Sequence, residues 1–99
     1  MKIWQKAAAL AAFAAMGTLA QAQVVIGQTA GFSGIVAAGV QETADGARLY
    51  LDMVNARGGV NGQKIELIAL DDKFDPKLAA ANARKLIEEH KVTALFLTR

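Results

Sequence analysis

Three short apolar runs, separated by two stretches of helical periodicity, constrain this chain more than any other feature of it. The runs are Val24-Val25-Ile26, residues 64–70 (KIELIAL) and residues 92–97 (VTALFL). The first two are apolar enough to form strands covered on both faces, and the third reads as a further strand. Between the first two, Ala47, Tyr50, Leu51 and Val54 recur on one face of a helix expected from about Val40 to Arg57. Gly58-Gly59 stops that helix, because glycine takes the left-handed C-cap conformation without a Cβ penalty, and Val60-Asn61-Gly62 turns the chain. Asp75 as N-cap and Pro76 at the first helical position open a second helix, with Ala79, Ala83, Leu86 and Ile87 as its buried stripe. The order β-α-β-α-β with short connections predicts a parallel sheet with right-handed crossovers, the start of a doubly wound α/β lobe.

Residues 1–22 stand outside this pattern. Lys2 and Lys6 make a positive n-region, residues 7–15 are a continuous apolar run, and Ala20-Gln21-Ala22 is an A-x-A cleavage pattern. The apolar run falls short of the ~20 residues that a bilayer core requires. The expectation is a signal peptide over residues 1–22, cleaved after Ala22, and hence an exported product. The formal charge of +2 arises from 11 Lys and Arg against 9 Asp and Glu. Without Lys2 and Lys6, nine basic groups face nine acidic ones, so the segment from Gln23 is neutral and gives no argument for a nucleic-acid partner. Cysteine is absent, which disfavours a small disulfide-stapled secreted module. About 77 residues without a staple make only a marginal core.

In a doubly wound sheet the ligand crevice lies outside the carboxyl ends of the strands. Three segments are expected there: residues 28–39, residues 71–75, and Thr98-Arg99. The first is rich in glycine and raises the question of a nucleotide. Gly27, Gly31, Gly34 and Gly39 have three, two and four residues between them, which does not match G-x-G-x-x-G. A P-loop ends in Gly-Lys-Ser/Thr, and no lysine occurs between Lys6 and Lys64. That spacing argues against an exported nucleotide-dependent enzyme. A lip with Thr29, Phe32 and Ser33 still offers an apolar wall, hydroxyls and peptide N–H groups to a small polar solute. Glycines that merely permit turns account for the spacing nearly as well.

The acidic cluster of Asp71, Asp72 and Asp75 has oxygen ligands of the kind Mg²⁺ prefers. Asp75 is already accounted for as a helix cap, and Asp71 and Asp72 must point to opposite faces of a strand. The structural reading is therefore preferred, and no metal, cofactor or catalytic set is expected. His90 is expected in the last turn of the second helix, where its side chain suits the free carbonyls. Met53 reads as helix filler, and Trp4 lies in the leader.

VVIGQTAGFSG and DGARLYLDMVNARGGVNGQKIELIALDDKFDPKLAAANARKLI together resemble the start of type I periplasmic solute-binding proteins. In particular they resemble the Leu/Ile/Val-binding-protein-like receptors of ABC importers. The resemblance spans residues 24–97, and its most specific part is N-A-R-G-G-V-N-G, a strand, then D-D-x-x-D-P and a helix. It implies two α/β lobes that close on a solute in the periplasm and deliver it to a membrane permease driven by an ATPase. The receptor itself does no covalent chemistry, needs no cofactor, binds no nucleic acid, and is a monomer when full length.

Carried onto this chain, the resemblance implies ligand contacts at Phe32, Ser33, Gly34 and the lip to Gly39, and in the loop that begins at Thr98-Arg99. Gly39 stands where some amino acid-binding members carry an aromatic. Arg99 would pair a solute carboxylate through its guanidinium. The solute expected is an amino acid or similar small carboxylate. Asp71, Asp72 and Asp75-Pro76 match the family pattern as architecture. Residues 23–99 are then the N-terminal part of lobe I, truncated before the hinge and the second lobe, and expected to bind solute negligibly alone. A ligand-sensing ectodomain on the same fold and a non-functional remnant are the alternatives.

Overall fold

The computed structural model describes residues 23–96. The expected signal peptide, with Trp4, lies outside the described residues, as do Leu97, Thr98 and Arg99. Strand β1 spans Gln23–Ala30, helix α1 Ala37–Ala56, strand β2 Lys64–Asp71, helix α2 Pro76–Glu88 and strand β3 Ala94–Leu95. All strand pairs are parallel and the sheet order is β2-β1-β3. Register runs from Gln23 opposite Lys64 to Ala30 opposite Asp71, and β3 joins at Ile26 opposite Ala94.

Because β1 is central, the chain leaves it toward β2 and then crosses back to β3. Right-handed crossovers in opposite directions put the two helices on opposite faces. Side-chain alternation agrees with this. Ile26 lines a groove with Ala47 and Leu51 of α1, whereas a Cβ on the next residue, Gly27, would lie 3.1 Å from Leu86 of α2. Glycine at 27 thus lets α2 approach the central strand closely.

The connection from α1 to β2 follows from its residue types. The Gly58 N–H donates to the Asn55 carbonyl and the Gly59 N–H to the Val54 carbonyl, a Schellman arrangement with both glycines at positive φ. Val60 and Gln63 then exchange both backbone hydrogen bonds across Asn61 and Gly62, whose φ values of 53° and 78° make the type I′ turn that Asn-Gly favours. Asp75 caps α2 by accepting from the Lys77 N–H at 2.9 Å, with Pro76 in the first turn.

Several boundaries differ from the sequence expectation. Strand β1 continues past Ile26 to Ala30, because Gly27-Gln28-Thr29-Ala30 is buried and paired along β2 despite having little aliphatic character. Helix α1 starts at Ala37 rather than Val40, so the lip is shorter and Gly39 belongs to the helix. Its buried side chains are Val40 and Ala44, and Tyr50 is 66% exposed at the margin of the stripe. On α2, Leu86 is fully buried with Ala79 and Ala83 half-buried beside it, but Ile87 is 53% exposed. One residue is a 100° step, which carries Ile87 off the stripe. Among the described residues β3 is only Ala94–Leu95, and Val92 turns toward Gly27 instead of extending the strand.

Candidate functional site

The carboxyl ends of β1 and β2 carry two loops that are laced together. The loop after β1, residues 31–36, begins with a tight turn in which the Phe32 N–H donates to the Ala30 carbonyl at 3.0 Å. A Cβ at Gly31 would sit 2.7 Å from Val36 Cγ2 and 3.3 Å from the Phe74 nitrogen, so any larger residue there requires the Val36 side chain and the loop to shift. Gly34 has φ of +90°, and a Cβ built there would lie 3.9 Å from the Lys73 carbonyl oxygen. Its own carbonyl accepts from the Ala37 N–H at 3.2 Å, which starts α1.

Each carboxylate after β2 has a structural partner. Asp71 Oδ2 accepts the Ser33 hydroxyl at 2.6 Å, while Oδ1 accepts the N–H groups of Ser33 at 3.2 Å and Lys73 at 2.9 Å. The Ser33 hydroxyl first, then the Lys73 N–H, holds the Asp71 carboxyl below its ordinary value. Asp72 is buried; its Oδ2 accepts the Thr29 hydroxyl and its Oδ1 the Phe74 N–H, each at 2.9 Å. The Asn82 amide joins the set, donating to Thr29 Oγ1 at 3.2 Å and to the Asp71 carbonyl at 3.0 Å. Lys73 and Phe74 occupy left-handed backbone at φ 54° and 62°, held there by the two carboxylates. Among the described residues no group of three or more His, Cys, Asp or Glu is placed to hold a metal ion.

The N-terminus of α1 opens onto the same rim. Its N-cap, Val36, has no side chain able to cap, and the first turn carries no acidic residue. The positive end of the helix dipole is therefore not compensated by a local side chain. Phe32, Gln41, Arg48 and Asp71 line an open groove of about 300 Å³ on the α1 side of this rim. A second groove, of about 380 Å³ and apolar, runs between α1 and the sheet past Ile26, Tyr50 and Phe96.

Of the residues singled out from sequence, Phe32, Ser33 and Gly34 are brought together on the lip. Gly39 is not among them: it lies in the first turn of α1, a Cβ built on it would meet nothing within 4 Å beyond its own helix backbone, and its carbonyl accepts the Thr43 hydroxyl. Thr98 and Arg99 lie outside the described residues. His90 follows α2 rather than ending it, with its N–H on the Lys85 carbonyl. Sequence reasoning missed Asn82, and it missed the pairing of Ser33 with Asp71. Those two partners are 38 residues apart, so no local pattern marks them.

The sequence profile of the periplasmic binding protein family matches residues 23–97. The chain is similar to an amino acid binding protein of Pseudomonas aeruginosa, 39% identical over 89 residues, which cover 88% of this chain and 24% of that protein. It is also similar to the Leu/Ile/Val-binding protein BraC3 of Rhizobium johnstonii, 36% identical over 80 residues, 81% of this chain and 22% of that one. Among solved structures, the branched-chain amino acid transporter substrate binding protein LivJ of Streptococcus pneumoniae, in complex with isoleucine, superposes with a TM-score of 0.71. It is 34% identical, and the match covers 75% of this chain and 21% of LivJ. A substrate-binding periplasmic protein of Ralstonia solanacearum gives a TM-score of 0.74 at 31% identity, covering 78% of this chain and 22% of that one. The chain thus spans about a quarter of the curated relative's length, 24%.

Proposed function

Since this chain belongs to the periplasmic binding protein family, we propose that it contributes the first wall of lobe I in the exported solute-binding component of an ABC-type importer. Residues 1–22 are its signal peptide, cut after Ala22, and residues from Gln23 enter the periplasm as the beginning of that lobe. The solute is an amino acid or a related small carboxylate, and the receptor hands it to a membrane permease without covalent chemistry. As a complete receptor it is a monomer.

The observation that carries this reading is the lip formed by Phe32, Ser33 and Gly34 at the carboxyl end of the central strand. There β2 lies on one side of β1 and β3 on the other, so the lip stands at the topological switch point where such sheets take ligands. The uncapped start of α1 favours an anionic group there, as helix N-termini do. Gly34 lets the backbone approach the solute closely, and Phe32 supplies an apolar surface. Thr98 and Arg99 complete the proposed contact set alongside Phe32 and Gly34, with the Arg99 guanidinium pairing the carboxylate.

The test is a chimera in which residues 23–96 replace their counterpart in LivJ, titrated calorimetrically with L-isoleucine and with a panel of other amino acids. The reading expects a folded chimera that binds at least one of them at micromolar concentration. A folded chimera that binds none would refute it.

A further inference from the structure

We infer that Asp71 is the positioning residue of the solute-binding lip, holding Ser33 by both of its donors so that Phe32 and Gly34 are set in place on either side. The inference rests on the solute-binding reading for its functional meaning, and on geometry for its substance. A serine has one hydroxyl proton and one peptide proton to give. Both go to the Asp71 carboxylate, at 2.6 Å and 3.2 Å. Ser33 therefore has no donor left for a solute carboxylate, and an anion placed against it would face Asp71 as well. The solute carboxylate is read by the peptide N–H groups beyond Ser33, and Ser33 acts through its neighbours rather than by contact.

The geometry is built from both sides. Asp71 also accepts the Lys73 N–H, which holds Lys73 in left-handed backbone, and the Lys73 carbonyl lies on the side of Gly34 where a Cβ would project. Asp72 fixes the other end of the same loop through Phe74 and, in the interior, through Thr29. The β2 loop is thus a rigid support on which the β1 loop rests. The other charged groups lining the groove at Asp71 are Asp45 and Arg48 of α1.

Substitutions separate positioning from simple stability. In Asp71→Asn, the side-chain oxygen can keep both N–H bonds while the amide nitrogen donates to Ser33 Oγ, reversing the hydroxyl. In Asp71→Ala, all three bonds are lost. The experiment is amide hydrogen exchange, followed by NMR, on the ¹⁵N-labelled 99-residue chain without solute. Asp71→Ala should speed exchange at Ser33 by about tenfold or more while Leu67 and Ile68 in β2 stay unchanged, and Asp71→Asn should restore it to within about threefold. On acidification, the Ser33 and Lys73 amide resonances should move together in the wild type, with one midpoint, and not in Asp71→Asn. Should Asp71→Ala unfold the chain, this shared titration decides by itself. Unchanged Ser33 exchange in Asp71→Ala, or separate midpoints at Ser33 and Lys73, would overturn the inference. Failure of the LivJ chimera to bind any amino acid would instead strike the solute reading and leave the anchoring of the lip standing.

Discussion

Asn55 gives Ile65 the two hydrogen bonds that a neighbouring strand would give it: its amide nitrogen donates to the Ile65 carbonyl and its amide oxygen accepts the Ile65 N–H, both at 2.8 Å. Strand β2 is an edge of the described sheet, and an unpaired edge invites association with another chain. Asn82 covers the far end of the same edge through the Asp71 carbonyl. Asn55→Ala should lower stability by about 1–3 kcal/mol, as the loss of two partly buried hydrogen bonds does. It should also increase concentration-dependent self-association, read by sedimentation. Asn55→Asp should be no better at neutral pH, because a carboxylate would then face the Ile65 carbonyl. Denaturant titration of the three proteins checks the ranking.

Gly58 and Gly59 both have positive φ, but their surroundings differ. Nothing lies within 4 Å of a Cβ at Gly58, whereas one at Gly59 would overlap the Gln63 carbonyl and lie 2.8 Å from the Lys64 nitrogen. Gly58→Ala should cost about 1–2 kcal/mol, the left-handed penalty alone. Gly59→Ala should cost a further ~1–3 kcal/mol, because the turn into β2 must shift. Equal melting temperatures for the two variants would contradict this difference.

Thr29 and Asp72 are 5% and 6% exposed and meet at 2.9 Å across the β1–β2 junction. Thr29→Val keeps the shape and strips one partner from a buried carboxylate, so it should cost about 1.5–3 kcal/mol. A double-mutant cycle with Asp72→Asn should show favourable coupling between the two sites. Additive losses would mean that the pair is not coupled.

The Asp71 carboxyl is held below its ordinary value of 3.8 in the fold, chiefly by the Ser33 hydroxyl. A group depressed in the folded state adds stability above its unfolded value, and that stability is lost as pH falls through the lower folded value. Denaturation midpoints measured from about pH 5 down to about pH 2 should therefore fall less steeply in Asp71→Asn and in Ser33→Ala than in the wild type. Ser33→Ala should account for the largest single share of the Asp71 effect, because its hydroxyl is the leading cause.

What could be read from sequence was whatever local chemistry determines. Asp75-Pro76, Gly58-Gly59 and Asn61-Gly62 each act through their own backbone, and each stands where expected. The element order and parallel sheet followed from them. Residues 27–30 escaped notice as strand because their place depends on β2, which pairs with them, and on Thr29 meeting Asp72. Tyr50 and Ile87 were expected inside because they are large and apolar, yet only the exact helix rotation decides which side of a stripe is covered. The lip itself was visible as Phe32, Ser33 and Gly34. Its fastening to Asp71 was not, because that contact joins the ends of two different strands.

Gly34 offers the most direct test of the central claim, that this lip faces a small carboxylate solute. At φ of +90° the position departs from glycine at some cost, but Asn and Asp tolerate left-handed backbone better than other residues and are nearly equal in size. They differ chiefly in charge. The measurement is the Kd for the solute of the LivJ chimera carrying Gly34→Asn or Gly34→Asp. The account predicts that Asp binds at least about tenfold more weakly than Asn, a difference of about 1.4 kcal/mol from one misplaced negative charge. Equal Kd values for the two folded variants would contradict it, because the solute carboxylate would then lie away from the lip.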